Sequence, residues 1–159
     1  MQLPFWVVFA QPARAARKIL LGAAALSVAA PVALAEEMTN ACPVDGCQVR
    51  IVSAEKDGDE LKLTLQANYL PDVSKNHVHV WWGDNFTVEQ VSNNAETVYH
   101  VKQGDWHPTA DYPVYVTQSS ASVTQRGNAT TICVSPGDRN HDIIDVTKYD
   151  CRPVADLLQ

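Results

Sequence analysis

The sequence predicts an all-β protein built as a single antiparallel β-sandwich. Short runs of alternating apolar and polar residues recur along the chain, separated by clusters of Gly, Pro, Asn and Asp. Beyond the first 35 residues no segment has a clear helical periodicity, apart from a terminal turn at 154–159. About six to eight short strands separated by turn residues are typical of a sandwich or barrel.

The strand number and domain length favour an immunoglobulin-like sandwich, with a cupredoxin-like sandwich as the alternative. Two hallmarks of antibody domains are missing. Trp81 and Trp82 lie far beyond Cys47, and Thr131 stands two residues before Cys133, where a Tyr would be expected. No internal repeat or low-complexity linker divides the chain, so we expect one domain over residues 36–159.

The first 35 residues have the order of a secretory signal peptide. A basic segment at 11–18 precedes an apolar, alanine-rich run at 19–35, which ends in the small-x-small pattern Ala33-Leu34-Ala35. The run is shorter than the ~20 residues that a membrane-spanning helix needs. We therefore expect cleavage after Ala35 and export to a bacterial periplasm or exterior, with no membrane insertion afterwards.

The charge of the chain excludes some partners. The formal charge is −6, and all 18 acidic residues follow residue 35, so the exported domain is more acidic than the whole chain. An acidic surface repels phosphate backbones, which argues against nucleic acid as a partner. Cations or basic protein surfaces fit this charge better.

The four cysteines predict disulfides, because an even number in an exported chain is usually oxidised. We expect Cys42–Cys47 to close the small loop CPVDGC, and Cys133–Cys151 to join the two arms of a C-terminal hairpin. A Cys47–Cys133 bridge is the main alternative pairing. A zinc site made of all four cysteines is disfavoured, because a second close pair is missing.

The clearest local signal is a β-hairpin within residues 47–70, in which KDGDE at 56–60 supplies the turn. Leu61, Leu63 and Leu65 alternate with polar residues and would form one buried face. FTVEQV at 86–91 is a short strand or a turn. Further strands are predicted over 77–83, 97–102, 114–118, 129–135 and 143–151.

The third strand carries the most distinctive motif, NHVHVWWGD at 76–84. His77 and His79 share one strand face with Trp81, while the two intervening valines and Trp82 share the other. The apolar second face is expected to point to the core. The histidines are therefore expected on an outer, solvated face or in a surface groove.

Two histidines two residues apart on a strand can converge on one copper or zinc ion, provided that a third ligand joins them. His100 and His107 are the favoured third ligands, and His141 is a further candidate. His100 would lie on the outer face of its predicted strand, as His77 and His79 do. The alternative is an ordinary solvated sheet face without a metal.

A second cation motif is the oxygen-rich segment DRNHDIID. It comprises Asp138, Asn140, Asp142 and Asp145. Alternating oxygen ligands are typical of calcium loops, but Ile143 replaces the glycine that such a loop needs. A turn held by Asp and Asn side chains explains the same residues.

The remaining candidate surface is aromatic. It comprises Trp81, Trp106, Tyr112 and Tyr115, three of them in the loop GDWHPTADYPVY. Exposed aromatic residues on a rigid scaffold often recognise proteins or glycans. No nucleophile elbow, acid/base carboxylate pair or nucleotide fingerprint is present. The expected function is therefore a non-catalytic binding or adhesion-type module, with a periplasmic copper- or zinc-binding protein as the alternative.

Overall fold

The computed structural model describes residues 38–159, which belong to one compact unit. The predicted signal peptide at 1–35 lies outside the described residues. The described chain forms seven strands and a few short helical turns, which confirms the all-β class. Within it, none of the helical turns has the length and apolar character required to cross a membrane.

The strands form two antiparallel sheets with the orders β1-β2-β5 and β4-β3-β6-β7. The first sheet contains β1 (Val49–Asp57), β2 (Glu60–Ala67) and β5 (Val114–Val116). The second contains β3 (His77–Trp82), β4 (His107–Thr109), β6 (Thr131–Gly137) and β7 (Asp150–Pro153). The helical turns are Ala95–Tyr99, Ser119–Ala121, Val123–Gln125 and Ala155–Leu157.

The β1-β2 hairpin is confirmed. Asp57 pairs with Glu60 across the turn, where Gly58 adopts a left-handed conformation with φ of 62°. The alternating residues Leu61, Leu63 and Leu65 are buried, so one face of this sheet packs into the core. Burying each of these side chains stabilises the fold by about 2 kcal/mol. A shift of register by one residue would expose them, so their burial fixes the register of the hairpin.

The main core is shared by both sheets. Leu63 and Tyr115 from the first sheet belong to the same buried cluster as Val80 and Ile132 from the second. Trp82 is the largest member, and its indole Nε1 donates a hydrogen bond of 3.1 Å to the carbonyl of Ser122. Strand β3 thus contributes one of its faces to the centre of the molecule.

Both predicted disulfides are confirmed. Cys42 is bonded to Cys47, and Cys133 to Cys151. The second bridge joins directly opposed residues of β6 and β7, as expected for a hairpin. None of the described cysteines is free, which excludes the Cys47–Cys133 bridge and the four-cysteine zinc site.

The prediction of a strand over 97–102 is wrong. The chain instead forms a wide helical turn at Ala95–Tyr99, and the carbonyl of Asn94 accepts hydrogen bonds from the Val98 amide and the Thr97 hydroxyl. His100 ends the turn with φ of 58°, a left-handed conformation outside the β region. No residue of this segment belongs to either sheet.

Candidate metal centre

Strand β3 is buried on both faces, because all six of its residues are buried. Val78, Val80 and Trp82 face the main core, as predicted. The expectation that His77 and His79 face solvent is wrong, since both side chains are 0% exposed. Residues 84–106, here called the covering segment, lie over them.

A second apolar cluster holds the covering segment in place. Its buried members are Trp81, Val88, Val91, Cys133 and Ile143. Trp81 also donates a hydrogen bond of 2.9 Å from its indole Nε1 to the carbonyl of Phe86. The histidines therefore sit at the edge of a packed interior, and their polarity needs an explanation.

Three imidazoles meet beneath the covering segment, and we call His77, His79 and His141 the histidine triad. The Nε2 atoms of His77 and His79 are 3.0 Å apart, and Nδ1 of His141 is 3.0 Å from Nε2 of His77. One nitrogen from each ring lies within 4.8 Å of the other two. Two nitrogen ligands of one ion lie no more than about 4.2 Å apart at bond lengths of about 2.1 Å, so these separations fit a shared ion after small ring movements.

Two backbone carbonyls fix the orientation of the buried rings. Nδ1 of His79 is 2.7 Å from the carbonyl of Val91, and Nδ1 of His77 is 3.1 Å from the carbonyl of Lys75. A carbonyl only accepts, so each Nδ1 carries the proton and donates it. Each Nε2 is then unprotonated, and its lone pair points to the centre of the triad.

This arrangement leaves two lone pairs facing each other across 3.0 Å when both rings are neutral. Moving the proton of His77 to its Nε2 relieves that contact but turns an Nδ1 lone pair towards the Lys75 carbonyl. Neutral rings therefore leave one repulsive contact in either tautomer. A cation at the centre removes it. Metal-bound histidines usually donate a hydrogen bond from their other ring nitrogen to a carbonyl or carboxylate, as the Nδ1 atoms are placed to do here.

Protonation of a buried ring, which would also supply a positive charge to the triad, is disfavoured. Burial lowers the pKa of His79 from 6.5 to about 3, and the neighbouring His77 and His141 lower it further. Burial also lowers the pKa of His77, against the opposing influence of its hydrogen bond to Lys75 and of Asp138 and Asp72. Both rings are therefore neutral at neutral pH, which is the form that binds metal.

His141 reaches the triad from a tight turn after β6. The carboxylate of Asp138 accepts hydrogen bonds from the amides of Asn140 and Asp142, at 2.8 and 3.0 Å. His141 itself adopts φ of 62°. Its carbonyl accepts a hydrogen bond of 2.9 Å from the amide of Asn93, which ties the turn to the covering segment.

Gly137 makes room for the second imidazole. It ends β6 directly opposite His77, and a Cβ placed on it would lie 2.6 Å from Nε2 of His79. That distance is well inside van der Waals contact. Any larger residue at 137 must displace the ring whose nitrogen faces the centre of the triad.

A cleft of about 460 Å³ opens beside the triad. His141 and Trp106 line it together with the polar residues Asn93, Gln103 and Asp105. Trp106 is half-buried and stacks on the His79 ring, with centroids 5.2 Å apart and an angle of 22° between the planes. The cleft therefore meets the triad at its only half-buried member, His141.

The structure unites His77 and His79 with His141, and not with His100 or His107. His100 is exposed at the end of its helical turn. His107 is paired with Val80 on β4 and stacks on Tyr115 at 5.9 Å, away from the triad. His141 follows β6 directly in sequence. That position indicates a triad ligand only when β6 is known to pair with β3.

The predicted aromatic surface is divided between interior and surface. Trp81 and Tyr115 are buried, against the expectation that they are exposed, while Trp106 and Tyr112 are half-buried. Trp81 belongs to the second cluster and Tyr115 to the main core. Only Trp106 of these four lines the cleft beside the triad.

The oxygen-rich residues serve the turn that carries His141. Asp142 Oδ1 accepts a hydrogen bond of 3.0 Å from the Asn94 amide. Asp145 Oδ1 accepts from the amide and hydroxyl of Thr147, at 2.9 and 2.7 Å. Asp138 and Asn140 form the turn described above. The calcium hypothesis for these four residues stays a prediction.

Comparison with known proteins adds no relative. The chain matches no protein-family model, no curated protein and no solved structure. Any function must therefore be argued from the site itself.

Proposed function

We propose that this protein is an exported, non-catalytic metal-binding protein that holds one copper or zinc ion at the histidine triad. The observation that supports it best is the pair of buried Nε2 atoms, 3.0 Å apart, on two rings whose Nδ1 atoms each face a backbone carbonyl. Buried polar groups in a packed interior normally have complementary partners. The partner that the two Nε2 atoms lack is a positive charge.

The choice of copper or zinc follows from the ligand chemistry. Imidazole nitrogen suits zinc and copper, whereas calcium and magnesium prefer oxygen. Within residues 38–159, the only cluster of His, Cys, Asp and Glu side chains with metal-ligand spacing is the histidine triad. The Nδ1 atoms of His77 and His79 donate to backbone carbonyl oxygens, which suits neutral imidazole ligands.

The test is metal content and metal-dependent stability. The purified, oxidised protein without a histidine tag is incubated with Cu(II), Zn(II) or Ca(II), dialysed and analysed for bound metal. We expect one copper or zinc ion per chain and a rise in Tm. His141→Asn should remove both effects, because Asn tolerates the left-handed backbone at 141 but supplies no imidazole.

A matched control separates the triad from histidine content in general. His100→Asn replaces an exposed histidine that also has a positive φ, so both variants carry the same chemical change. It should bind metal as the wild type does. Wild-type protein that remains metal-free with copper and with zinc would refute the proposal, and a calcium shift that survives His141→Asn would favour the segment Asp138–Asp145.

For the fold we propose the immunoglobulin-like type, with the cupredoxin-like type as alternative. The strand orders β1-β2-β5 and β4-β3-β6-β7 support it. They correspond to strands A, B and E opposite strands C′, C, F and G of that architecture. Trp82 then occupies the core position on strand C, although the Cys133–Cys151 bridge joins F to G and not B to F.

The two disulfides support export to the periplasm or the cell exterior, since such bonds persist in oxidising compartments. A second candidate function is a binding or adhesion-type module for a protein or glycan. The cleft beside Trp106 favours it, because a half-buried aromatic residue among polar side chains is typical of ligand sites. That function would be insensitive to chelators and would be lost on Trp106→Ala.

A further inference from the structure

We infer that an ion at the histidine triad keeps one coordination position open to the cleft, and that this position takes a small anionic Lewis base from solution. The inference rests on the proposed function and extends it from metal binding to ligand binding at the metal. It concerns coordination only, so no covalent bond is made or broken in the ligand.

The first step is the number of protein ligands. The triad supplies three nitrogens, and among the described residues no carboxylate or thiolate joins them. Structural zinc sites are closed by four protein ligands, whereas sites with three keep a position for water or another exogenous ligand. A three-histidine site in this protein therefore belongs to the open kind.

The second step is the direction of the open position. His77 and His79 are 0% exposed, and β6 lies against β3 on one side of them. Gly137 closes that side, since even a methyl group there would contact His79. His141 is half-buried and lines the cleft. Of the sides described, the cleft at His141 is the one that leads to solvent, so we place the open position there.

The third step is the chemistry of the cleft. Its volume of about 460 Å³ is many times the share of one water molecule, which is about 30 Å³. Asn93 and Gln103 present amide groups there, and Gln103 Nε2 donates a hydrogen bond of 3.0 Å to Asn93 Oδ1. Asn93 in turn holds the carbonyl of His141. The cleft wall is thus connected to the metal ligand itself.

The fourth step is charge. Three neutral imidazoles bring no negative charge to a divalent ion, and the ion becomes the largest charge in its surroundings. An anion that donates an electron pair is therefore favoured over a neutral ligand. Asp105 at the cleft margin is exposed and disfavours multiply charged anions there, which selects small ligands with a single negative charge.

The experiment uses the purified protein loaded with Cu(II), titrated with azide and followed by charge-transfer absorption and electron paramagnetic resonance. We expect a saturable change with one azide per ion, and competition by acetate. If zinc binds and copper does not, the same titration is made on the Co(II)-substituted protein. These readouts report on the ion's own ligand sphere.

Two variants locate the ligand. Gln103→Trp places an indole in the cleft and should weaken azide binding several-fold, measured per bound ion on the metal-loaded fraction. Lys102→Trp puts the same side chain on the exposed neighbouring residue and should leave azide binding as in the wild type.

Full metal loading without any spectral response to azide or acetate would overturn the inference and leave the proposed function intact. Azide binding that is equally strong in Gln103→Trp would also overturn it, because the ligand would then enter elsewhere. Failure to load metal would overturn both proposals together.

Discussion

The two faces of strand β3 are both buried, yet they are built from opposite chemistry. One face presents two valines and Trp82 to the core between the sheets. The other presents His77, His79 and Trp81 to the covering segment. The same six residues thus supply both the anchor of the fold and the candidate site.

The difference shows how a site can be rigid without being part of the main core. Trp82 is held by packing and a single hydrogen bond, whereas each buried histidine is oriented by a carbonyl from a different segment. Substitutions on the first face should therefore change stability alone. Substitutions on the second face should change the response to metal.

The largest effect is expected from Trp82→Ala. Removing a fully buried indole leaves a cavity and takes one of two hydrogen bonds from the Ser122 carbonyl, which keeps the bond from the Gln125 amide. The free energy of unfolding should fall by about 3–5 kcal/mol. Urea unfolding with and without zinc measures this loss. Zinc should raise the free energy of unfolding of the variant by as much as it does for the wild type. A variant that zinc no longer stabilises would contradict the view that the core face does not affect metal binding.

The next effect is expected from His79→Ala, with His100→Asn as control. An ion at 100 times its Kd stabilises the folded state by about 2.7 kcal/mol, and this increment should vanish without the buried ligand. Thermal unfolding across a metal titration measures it. The metal-free variant is also expected to be less stable than the wild type, because the Val91 carbonyl loses its donor.

A smaller effect is expected from Gly137→Ala. The added methyl group would displace the His79 ring and should weaken metal affinity by about tenfold or more, the range seen when a ligand is no longer held in place. Competition with a chromophoric chelator gives the ratio of the metal dissociation constants of variant and wild type. Gly58→Asn is the control, because nothing lies within 4 Å of a Cβ there and Asn accepts a positive φ.

The smallest effect is expected from pH. Burial lowers the pKa values of His77, His79 and His107 in the folded protein, whereas their values in the unfolded chain are about 6.5. The unfolded chain therefore binds more protons below that pH, and stability falls as the pH falls. Between pH 6.5 and 5.5 we expect His79 by itself to cost the metal-free protein about 1 kcal/mol of stability.

That pH dependence is measured by urea unfolding at several pH values in the presence of a chelator. In His79→Gln, stability should depend less steeply on pH. Glutamine is neutral in both the folded and the unfolded chain, so it takes up no proton on unfolding. A curve of unchanged slope in this variant would mean that His79 is protonated in the folded state.

Much of the fold was predictable, because it depends on local pattern. The hairpin within 47–70, the core face of β3 and both disulfides follow from alternation and spacing, and the structure confirms each of them. The strand at 97–102 was mispredicted because Val98 and Tyr99 favour strands but lie in a helical turn. The turn is held by the hydrogen bond from the Val98 amide to the Asn94 carbonyl. Tertiary contacts overrode local propensity there.

The candidate site was predictable only in part. His77 and His79 were identified by their spacing, but their burial depends on a segment that carries no periodic pattern. His141 lies 64 residues from His77 in sequence. Choosing it over His100 and His107 requires the β3-β6 pairing, which is a non-local fact of the fold. The role of Gly137 likewise depends on its position opposite His77.

The long separation between His77 and His141 gives the triad a topological meaning. An ion bound to both would close a ring of chain that contains the covering segment, β4 and β5, and would act as a third cross-link beside the two disulfides. Such a link restricts the unfolded chain as a disulfide does, since long loops lose the most freedom on closure. Unlike the disulfides, it would be severed by chelators and not by thiols, so the same domain would carry one permanent set of cross-links and one that follows the metal supply.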